Sequence, residues 1–157
     1  MTEKMGYEQN KAIRRKYGNV PVHAEIGGKT YHFRCKLEYR YAQHLEFCRL
    51  ARLIKGWEYE THTFRFEKAG VKQYIPDFIV RNNDDTFEYH ETKGMVGKYD
   101  IDKLKGVWNE YPDSQVTLIF WRKPKLSAQK RNKLERYCSR IIWDAAKLLA
   151  KEPIDMG

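Results

Sequence analysis

The apolar run Val116–Trp121 most limits the folds open to this chain. Its sequence, VTLIFW, is almost continuously apolar and has the length of one β-strand. A half-exposed strand would alternate apolar and polar residues, so this pattern predicts a strand that is buried on both faces. The sheet that contains it then needs cover on both sides, and helices usually provide that cover. The run therefore predicts a layered α/β protein.

The segments before this strand predict the rest of the layers. Apolar residues recur at spacings of three and four in two segments, which predicts two amphipathic helices. Short runs of aromatic and β-branched residues between them predict the strands. The helices are expected over Lys36–Ile54 and Gly97–Tyr111, and the strands over Trp57–Phe66 (one or two), Tyr74–Val80 and Thr86–Lys93. This order predicts an α-β-β-β-α-β core with a mixed sheet flanked by helices.

Both ends of the chain add to this core. Val20–Arg34 predicts a β-hairpin around Gly27-Gly28, a favourable two-residue turn. The basic residues 1–19 are expected to form an arm or a short helix. The tail Arg122–Gly157 predicts a basic helical extension, with an apolar stripe formed by Leu134, Cys138, Ile141, Ala145 and Leu148. The 157 residues fit one domain, divided into an arm and hairpin (1–33), a core (34–121) and this extension (122–157).

Composition narrows the partners and the compartment. The formal net charge is +9, which favours a polyanionic partner, although a merely soluble basic protein has the same charge. The three cysteines have no Cys-x-x-Cys spacing, so a disulfide framework or a structural zinc site is not expected. Apolar runs fall short of a membrane span, and the N-terminus lacks a signal-peptide core. We expect a cytoplasmic protein.

Two acids lie in strands where burial would make them costly. Asp77 interrupts the run YIPDFIV, and Glu91 follows Phe87 and Tyr89 at strand alternation, with Lys93 next on the same face. Charges in such places need pairing or a bound cation. The alternative is purely structural: Glu91 and Lys93 form a surface pair, and Asp77 caps a turn. Pro76 before the first acid favours the functional interpretation, because it makes an irregular strand.

Two carboxylates on neighbouring strands are typical of metal-dependent phosphodiester hydrolysis. Their oxygens can share one hard divalent cation, Mg²⁺ or Mn²⁺. Such a cation acidifies a bound water and neutralises charge on the transition state. Lys93 would orient that water or stabilise the developing charge. These residues predict an active site on the Tyr74–Gly94 hairpin.

Glu38 and a set of basic residues have two interpretations each. Glu38 lies in the first turn of the first predicted helix, where it either favours the helix N-terminus or faces the site as a third acid. The basic residues either follow a phosphate backbone or form solvated helix faces. Those expected to contact nucleic acid are Arg34, Lys36, Arg40, Lys98, Lys103, Lys130 and Arg131.

These motifs together resemble a known nuclease superfamily. An early helical glutamate, Pro-Asp in one strand and Glu-x-Lys in the next resemble the PD-(D/E)XK nucleases. More narrowly, Lys36-Leu37-Glu38, Tyr74–Phe78 and Glu91–Gly94 resemble phage endonuclease I, the Holliday-junction-resolving enzymes. The match covers roughly residues 34–121, while the hairpin and the basic tail lie outside it.

The resemblance implies a restriction-endonuclease-like core and specific roles. Glu38, Asp77 and Glu91 would bind metal, Lys93 would be the catalytic lysine, and Thr92 would offer a backbone carbonyl to the metal. It also implies branched DNA as the substrate, a homodimer that cuts two strands, and host-cell cytoplasm if a phage encodes the chain. Two alternatives remain open: a phage or transposon nuclease acting on duplex or single-stranded DNA, and a non-catalytic basic module that binds nucleic acid.

Overall fold

A five-stranded sheet organises the protein, whose computed structural model describes residues 20–149. The expected arm, residues 1–19, and the last part of the tail lie outside the described residues. The elements in chain order are β1 (Val22–Ile26), β2 (Lys29–Phe33), α1 (Lys36–Leu50), β3 (Gly56–Tyr59), β4 (Phe64–Arg65), β5 (Gln73–Tyr74), β6 (Phe78–Arg81), β7 (Phe87–Lys93), α2 (Lys98–Glu110), β8 (Gln115–Phe120), α3 (Ala128–Tyr137), β9 (Arg140–Ile142) and a 3₁₀ turn at Ala145–Lys147.

The sheet is mixed, as the sequence predicts. Its strand order is β3-β6-β7-β8-β9, with antiparallel pairs from β3 to β7 and parallel pairs from β7 to β9. Helix α2 makes the connection between the parallel strands β7 and β8, which a tight turn cannot make. A separate two-stranded sheet, β4 with β5, is inserted between β3 and β6. Along the chain, α1 and β3 are followed by β4 and β5, and then by β6, β7, α2 and β8.

Strand β8 is buried on both faces, which confirms the prediction made from its apolar run. Leu118 and Phe120 pack into a cluster with α2 and α3, while Ile119 packs into a second cluster with α1. Because successive side chains of a strand point to opposite faces, one continuous apolar run contributes to both cores. The sheet is thus covered by α1 and the β1–β2 hairpin on one face and by α2 and α3 on the other.

The N-terminal hairpin is confirmed. Strands β1 and β2 pair antiparallel, and Ile26 lies opposite Lys29 across a two-residue turn. Both turn residues, Gly27 and Gly28, have positive φ angles of 59° and 81°, which glycine adopts without the steric penalty of a Cβ. The hairpin carries Phe33 into the core below α1 and delivers Arg34 to the end of the sheet.

Helix α1 and the strand around Pro76 differ from the predictions. Helix α1 ends at Leu50 rather than Ile54, because Arg52 takes a left-handed conformation with φ 61°. The Trp57–Phe66 segment, where one or two strands were predicted, forms two, β3 and β4. The predicted strand Tyr74–Val80 is divided into β5 and β6 around Pro76, which has no N–H to donate to a ladder.

The predicted continuous C-terminal helix is wrong within the described residues. Helix α3 ends at Tyr137, and Cys138 is already extended with ψ 143°. The chain then adds β9 to the sheet, with Ile141 opposite Leu118. Two consecutive β-branched residues, Ile141 and Ile142, suit an edge beside an apolar strand better than a helix. The apolar residues of the predicted stripe are therefore divided among several elements: Leu134 lies in α3 and Cys138 directly after it, Ile141 lies in β9, and Ala145 and Leu148 lie in and directly after the 3₁₀ turn. No helix within residues 20–149 is long and apolar enough to cross a membrane.

Candidate functional site

The predicted acids and the predicted lysine converge at one end of the β6–β7 pair. Because Phe78 lies opposite His90 in the antiparallel register, Asp77 and Glu91 face each other at the next position. The Asp77 backbone N–H donates to Glu91 Oε2 at 3.1 Å, and Lys93 Nζ lies 3.3 Å from Glu91 Oε1. The irregular chain at Pro76 turns the Asp77 backbone toward a side chain instead of a ladder partner.

Asp77 is almost completely buried, and both of its carboxylate oxygens have partners. Oδ2 accepts hydrogen bonds from the Thr92 backbone N–H at 2.9 Å and from the Thr92 hydroxyl at 2.7 Å. Oδ1 accepts from Arg34 Nη2 at 2.8 Å. Burial, and then the charge of Glu38, raises the pKa of Asp77 to about 6, although the bonds from Thr92 oppose that change.

Glu91 is buried between the sheet and β5. Its Oε2 accepts from the Tyr74 hydroxyl at 2.7 Å in addition to the Asp77 N–H. Burial, and then the charge of Asp77, raises the pKa of Glu91 to about 7. Two neighbouring carboxylates whose pKa values are raised lower the stability of the folded protein when both are charged. A bound cation would stabilise their charged forms.

Lys93 is held between two acids. Its Nζ lies 2.8 Å from Asp100 Oδ1 as well as 3.3 Å from Glu91. Burial lowers the pKa of Lys93, but the charges of Glu91 and Asp100 outweigh burial and raise the pKa above its usual value. The ammonium is therefore charged at neutral pH in the metal-free protein and can donate hydrogen bonds.

Asp100 is a site residue that the sequence analysis missed. It lies in the first turn of α2, where its carboxylate also accepts from the Gly97 backbone N–H at 2.8 Å. An acid in a first turn is expected for helix capping alone. The position of Gly97-x-x-Asp100 a few residues after Glu91-x-Lys93 was the available signal.

Glu38 lies in the first turn of α1, and its carboxylate lies close to those of Asp77 and Glu60. Its Oε2 accepts from the Arg34 backbone N–H and from the Tyr59 hydroxyl, each at 2.7 Å. Its Oε1 lies 3.2 Å from Arg34 Nε. Burial and the hydrogen bond to Glu38 raise the pKa of the Tyr59 phenol, so this phenol remains a donor.

Glu60 lies beside Glu38 and Asp77, and the three carboxylates form one group. One oxygen from each of Glu38, Glu60 and Asp77 lies within 4.8 Å of the others. Carboxylate oxygens at such separations are a donor set that hard divalent cations accept. Among residues 20–149, this is the one group of acids, histidines or cysteines arranged in that way. Glu91 lies beside the group, joined to it through the Asp77 backbone.

Glu60 was missed because it follows β3, away from the recognised motifs. Its position opposite Asp77 is explained by the sheet, since Tyr59 pairs with Phe78 and the Glu60 N–H donates to the Asp77 carbonyl at 2.9 Å. Its φ of 55° is left-handed, which is uncommon for a residue other than glycine. No local sequence pattern pairs Glu60 with Asp77.

The basic residues expected to contact nucleic acid occupy different environments. Arg34 binds the acids, while Arg40 lies over the Trp121 ring at 5.1 Å. Lys103 lies over the Tyr74 ring at 5.8 Å and lines a small recess with Glu91 and Lys93. Arg131 contacts the Trp143 ring and Glu135. The remaining three, Lys36, Lys98 and Lys130, are exposed.

No protein-family model and no curated protein matches this chain. Among solved structures, a chain of the EndoMS–dsDNA2 complex is similar in part, with 22% identity and a TM-score of 0.33. The alignment covers 64% of this chain and 42% of that chain, so the present chain spans less than half of that neighbour. At this TM-score the similarity carries no argument about function. The site itself must therefore carry the functional interpretation.

Proposed function

We propose that the protein is a metal-dependent DNA endonuclease that hydrolyses phosphodiester bonds, with branched DNA as its substrate. The observation that carries the proposal is the meeting of Asp77, Glu91 and Lys93 at one sheet end, with Glu38 approaching from α1. Buried acids that lie beside one another and beside a charged ammonium destabilise the folded protein, because removing each charge from water costs free energy. They suit a site that takes a cation and a phosphate.

The donor set fits a hard divalent cation, since one oxygen each of Glu38, Glu60 and Asp77 lies within 4.8 Å of the others. Asp77, Glu91 and Glu38, together with Glu60, would hold Mg²⁺ or Mn²⁺, and the resemblance implies that Thr92 adds its carbonyl. The raised pKa values of Asp77 and Glu91 support this, because burial first, and then a neighbouring carboxylate, disfavours the charged form that a cation would stabilise. When bound, the ion would supply Lewis-acid stabilisation and a more acidic water.

The protein's own side chains would orient the reacting groups. Thr92 holds Asp77 in one rotamer through two hydrogen bonds, and Tyr74 does the same for Glu91. Asp100 anchors Lys93, whose ammonium can donate to a phosphate oxygen or to the attacking water. Such fixed donors stabilise developing charge without reorganising during the reaction.

DNA binding is proposed for the basic residues of the chain, whose net charge is +9. Lys36 and Lys98 are exposed near the ends of α1 and α2 that bear Glu38 and Asp100, and Lys103 lies on the recess beside Lys93. Lys130 and Arg131 on α3 would extend this contact. Phosphate neutralisation releases counterions, so affinity should fall steeply as salt rises.

Branched DNA and a homodimer are proposed from the resemblance to junction-resolving enzymes. A four-way junction offers two equivalent strands, and a two-fold dimer would present one site to each. The sequence of residues 34–121 carries this part of the proposal. Residues 122–157 lie outside the resemblance and are proposed to extend DNA contact.

The deciding experiment is a cleavage panel. Labelled four-way junction, duplex and single-stranded DNA are incubated with the full chain in Mg²⁺, in Mn²⁺ and in EDTA. We expect metal-dependent cutting with a preference for the junction. Cutting that favours duplex or single strands would replace the branched substrate with the wider nuclease assignment. Binding without cutting in either metal would leave only a nucleic-acid-binding module.

Two variants connect cleavage with the site. Lys93→Ala and Asp77→Asn should each abolish cutting while DNA binding stays within a few-fold of the unmodified protein. Lys55→Ala is the matched control, because Lys55 pairs with Asp85 at the β6–β7 turn, at the other end of the strands. If either site variant still cuts, its residue does not have the proposed role.

A further inference from the structure

Arg34 binds carboxylates from three separate elements. Its Nη2 lies 2.8 Å from Asp77 Oδ1 and 2.8 Å from Glu60 Oε1, and its Nε lies 3.2 Å from Glu38 Oε1. These acids precede β6, follow β3 and begin α1, respectively. The guanidinium presents several N–H donors in one plane, so a single side chain can hold all three carboxylates.

The guanidinium takes the oxygens that the rest of the site leaves open. Asp77 Oδ2 is already bonded to Thr92, and Glu38 Oε2 to the Tyr59 hydroxyl. The other oxygen of each carboxylate, Asp77 Oδ1 and Glu38 Oε1, is bonded by the Arg34 side chain. Among the hydrogen bonds of residues 20–149, those two oxygens have no other donor. A metal ion that binds these two carboxylates would therefore compete with the guanidinium for these two oxygens.

The exposure of the partners is asymmetric. The Arg34 side chain is 64% exposed, whereas those of Asp77 and Glu38 are 2% and 5% exposed. Arg34 therefore reaches the buried acids from the solvent side. A long side chain in this position can leave into water without opening the core.

We propose that Arg34 and a divalent cation are alternative occupants of the Glu38, Glu60 and Asp77 carboxylates. This inference rests on the proposed function, and it makes Arg34 a positioning residue. In the absence of metal its guanidinium holds the three oxygens at their mutual separation of up to 4.8 Å. A metal ion bound to these oxygens would lie where the guanidinium N–H groups now approach them, and the two positive charges would repel each other, so metal binding requires the guanidinium to move off them. Once released, Arg34 is free to contact a phosphate, the partner expected from its sequence context.

The competition has a definite sign. Removing the guanidinium while keeping a side chain of similar length leaves three carboxylates without their nearest positive charge. Like charges so close together repel one another. The variant should therefore be less stable without metal and should bind a divalent cation more tightly.

The test measures binding of Mn²⁺ alone, without DNA, to the full chain by isothermal titration at pH 7.5. Arg34→Met should bind Mn²⁺ at least tenfold more tightly than the unmodified protein, and Arg34→Lys should lie between the two. Arg81→Met is the matched control, since Arg81 pairs with the carboxylate of Asp85 at the β6–β7 turn, away from these acids, and its affinity should equal that of the unmodified protein. Thermal melts should show a lower Tm for Arg34→Met in EDTA and a larger rise on adding Mn²⁺.

Equal or weaker Mn²⁺ binding by Arg34→Met overturns the inference. If that variant does not fold in EDTA, the comparison passes to Arg34→Lys, and unchanged affinity there overturns it equally. Junction cleavage by the unmodified protein distinguishes the two proposals. Metal-dependent cleavage together with unaltered affinity in the variants removes the role of Arg34 alone. Absence of both metal binding and cleavage removes the nuclease proposal as well.

Discussion

Replacing Glu91 with glutamine should remove part of the pH dependence of the free energy of unfolding. Burial raises the pKa of Glu91 from 4.5 to about 7, with Asp77 adding to the effect. The folded protein therefore binds this proton more tightly than the unfolded chain does. The contribution of Glu91 to stability is fully present below about pH 4.5 and is lost as the pH rises through about 7.

The size of the effect follows from the displaced pKa. A change from 4.5 to about 7 corresponds to roughly 3 kcal/mol, most of which falls between pH 5 and pH 8.5. The glutamine of the Glu91→Gln variant would have no such titration, and its amide oxygen could still accept from the Tyr74 hydroxyl and the Asp77 N–H. Asp100 would still hold the Lys93 ammonium. The free energy of unfolding of Glu91→Gln should therefore increase relative to that of the unmodified protein as the pH rises.

Urea unfolding in EDTA at pH 5, 7 and 8.5 measures this difference. We expect the gap between Glu91→Gln and the unmodified protein to change by about 2 to 3 kcal/mol in favour of the variant across the range. Glu25→Gln, at an exposed position of β1, is the control and should show no such trend. Parallel curves for the unmodified protein and Glu91→Gln would refute the reasoning. Adding Mn²⁺ at pH 8.5 should close the gap, because a cation stabilises only the carboxylate.

Three further variants test the packing that supports the site. Gly106→Ala should destabilise by about 1–3 kcal/mol in thermal unfolding, because a Cβ there would lie 2.9 Å from Phe66 ring atoms; an unchanged Tm would contradict the fit of α2 against that ring. Leu134→Ala should cost about 2–5 kcal/mol, since Leu134 is fully buried between α3 and the sheet; a urea midpoint within error of the unmodified protein would show that α3 is not docked. Thr92→Val removes the hydroxyl donor to Asp77 and should raise the pKa of Asp77 further. The pH profile of cleavage should then move to higher pH, whereas an identical profile would show that this hydroxyl does not hold the carboxylate.

The layers of the fold were predictable from sequence where one residue pattern served one local structure. Val116–Trp121 could be buried only as a strand between two layers, and Gly27-Gly28 could join two strands by only a few turns. The tail was mispredicted because its apolar residues satisfy helical spacing up to Cys138 and strand pairing after it. The preference for β9 comes from the open edge of β8, which no local pattern in the tail reports.

The candidate site divides in the same way. Glu91 and Lys93 are two residues apart on one strand, so their proximity follows from strand geometry alone. Asp77 joins them because a short hairpin brings its two strands together, and that too is local. Arg34, by contrast, is 43 residues from Asp77, and its contact with Glu60 depends on β3 being the neighbour of β6. Without the fold, a basic residue beside a hairpin predicts a phosphate contact, because the sequence contains no sign of which charge it will meet.

This difference bears on how such sites are interpreted. A motif identifies the residues that could bind a cation, but it does not identify the cation that the folded chain itself supplies. Arg34 reaches the same buried oxygens that the motif assigns to a metal, so the acids are compatible with two occupants of one charge sign. A protein that keeps Arg34 and the acids as an internal ion pair should bind no Mn²⁺ while the guanidinium is in place. A nuclease site should bind Mn²⁺ in the unmodified protein, and should bind it more tightly once the guanidinium no longer occupies the same oxygens.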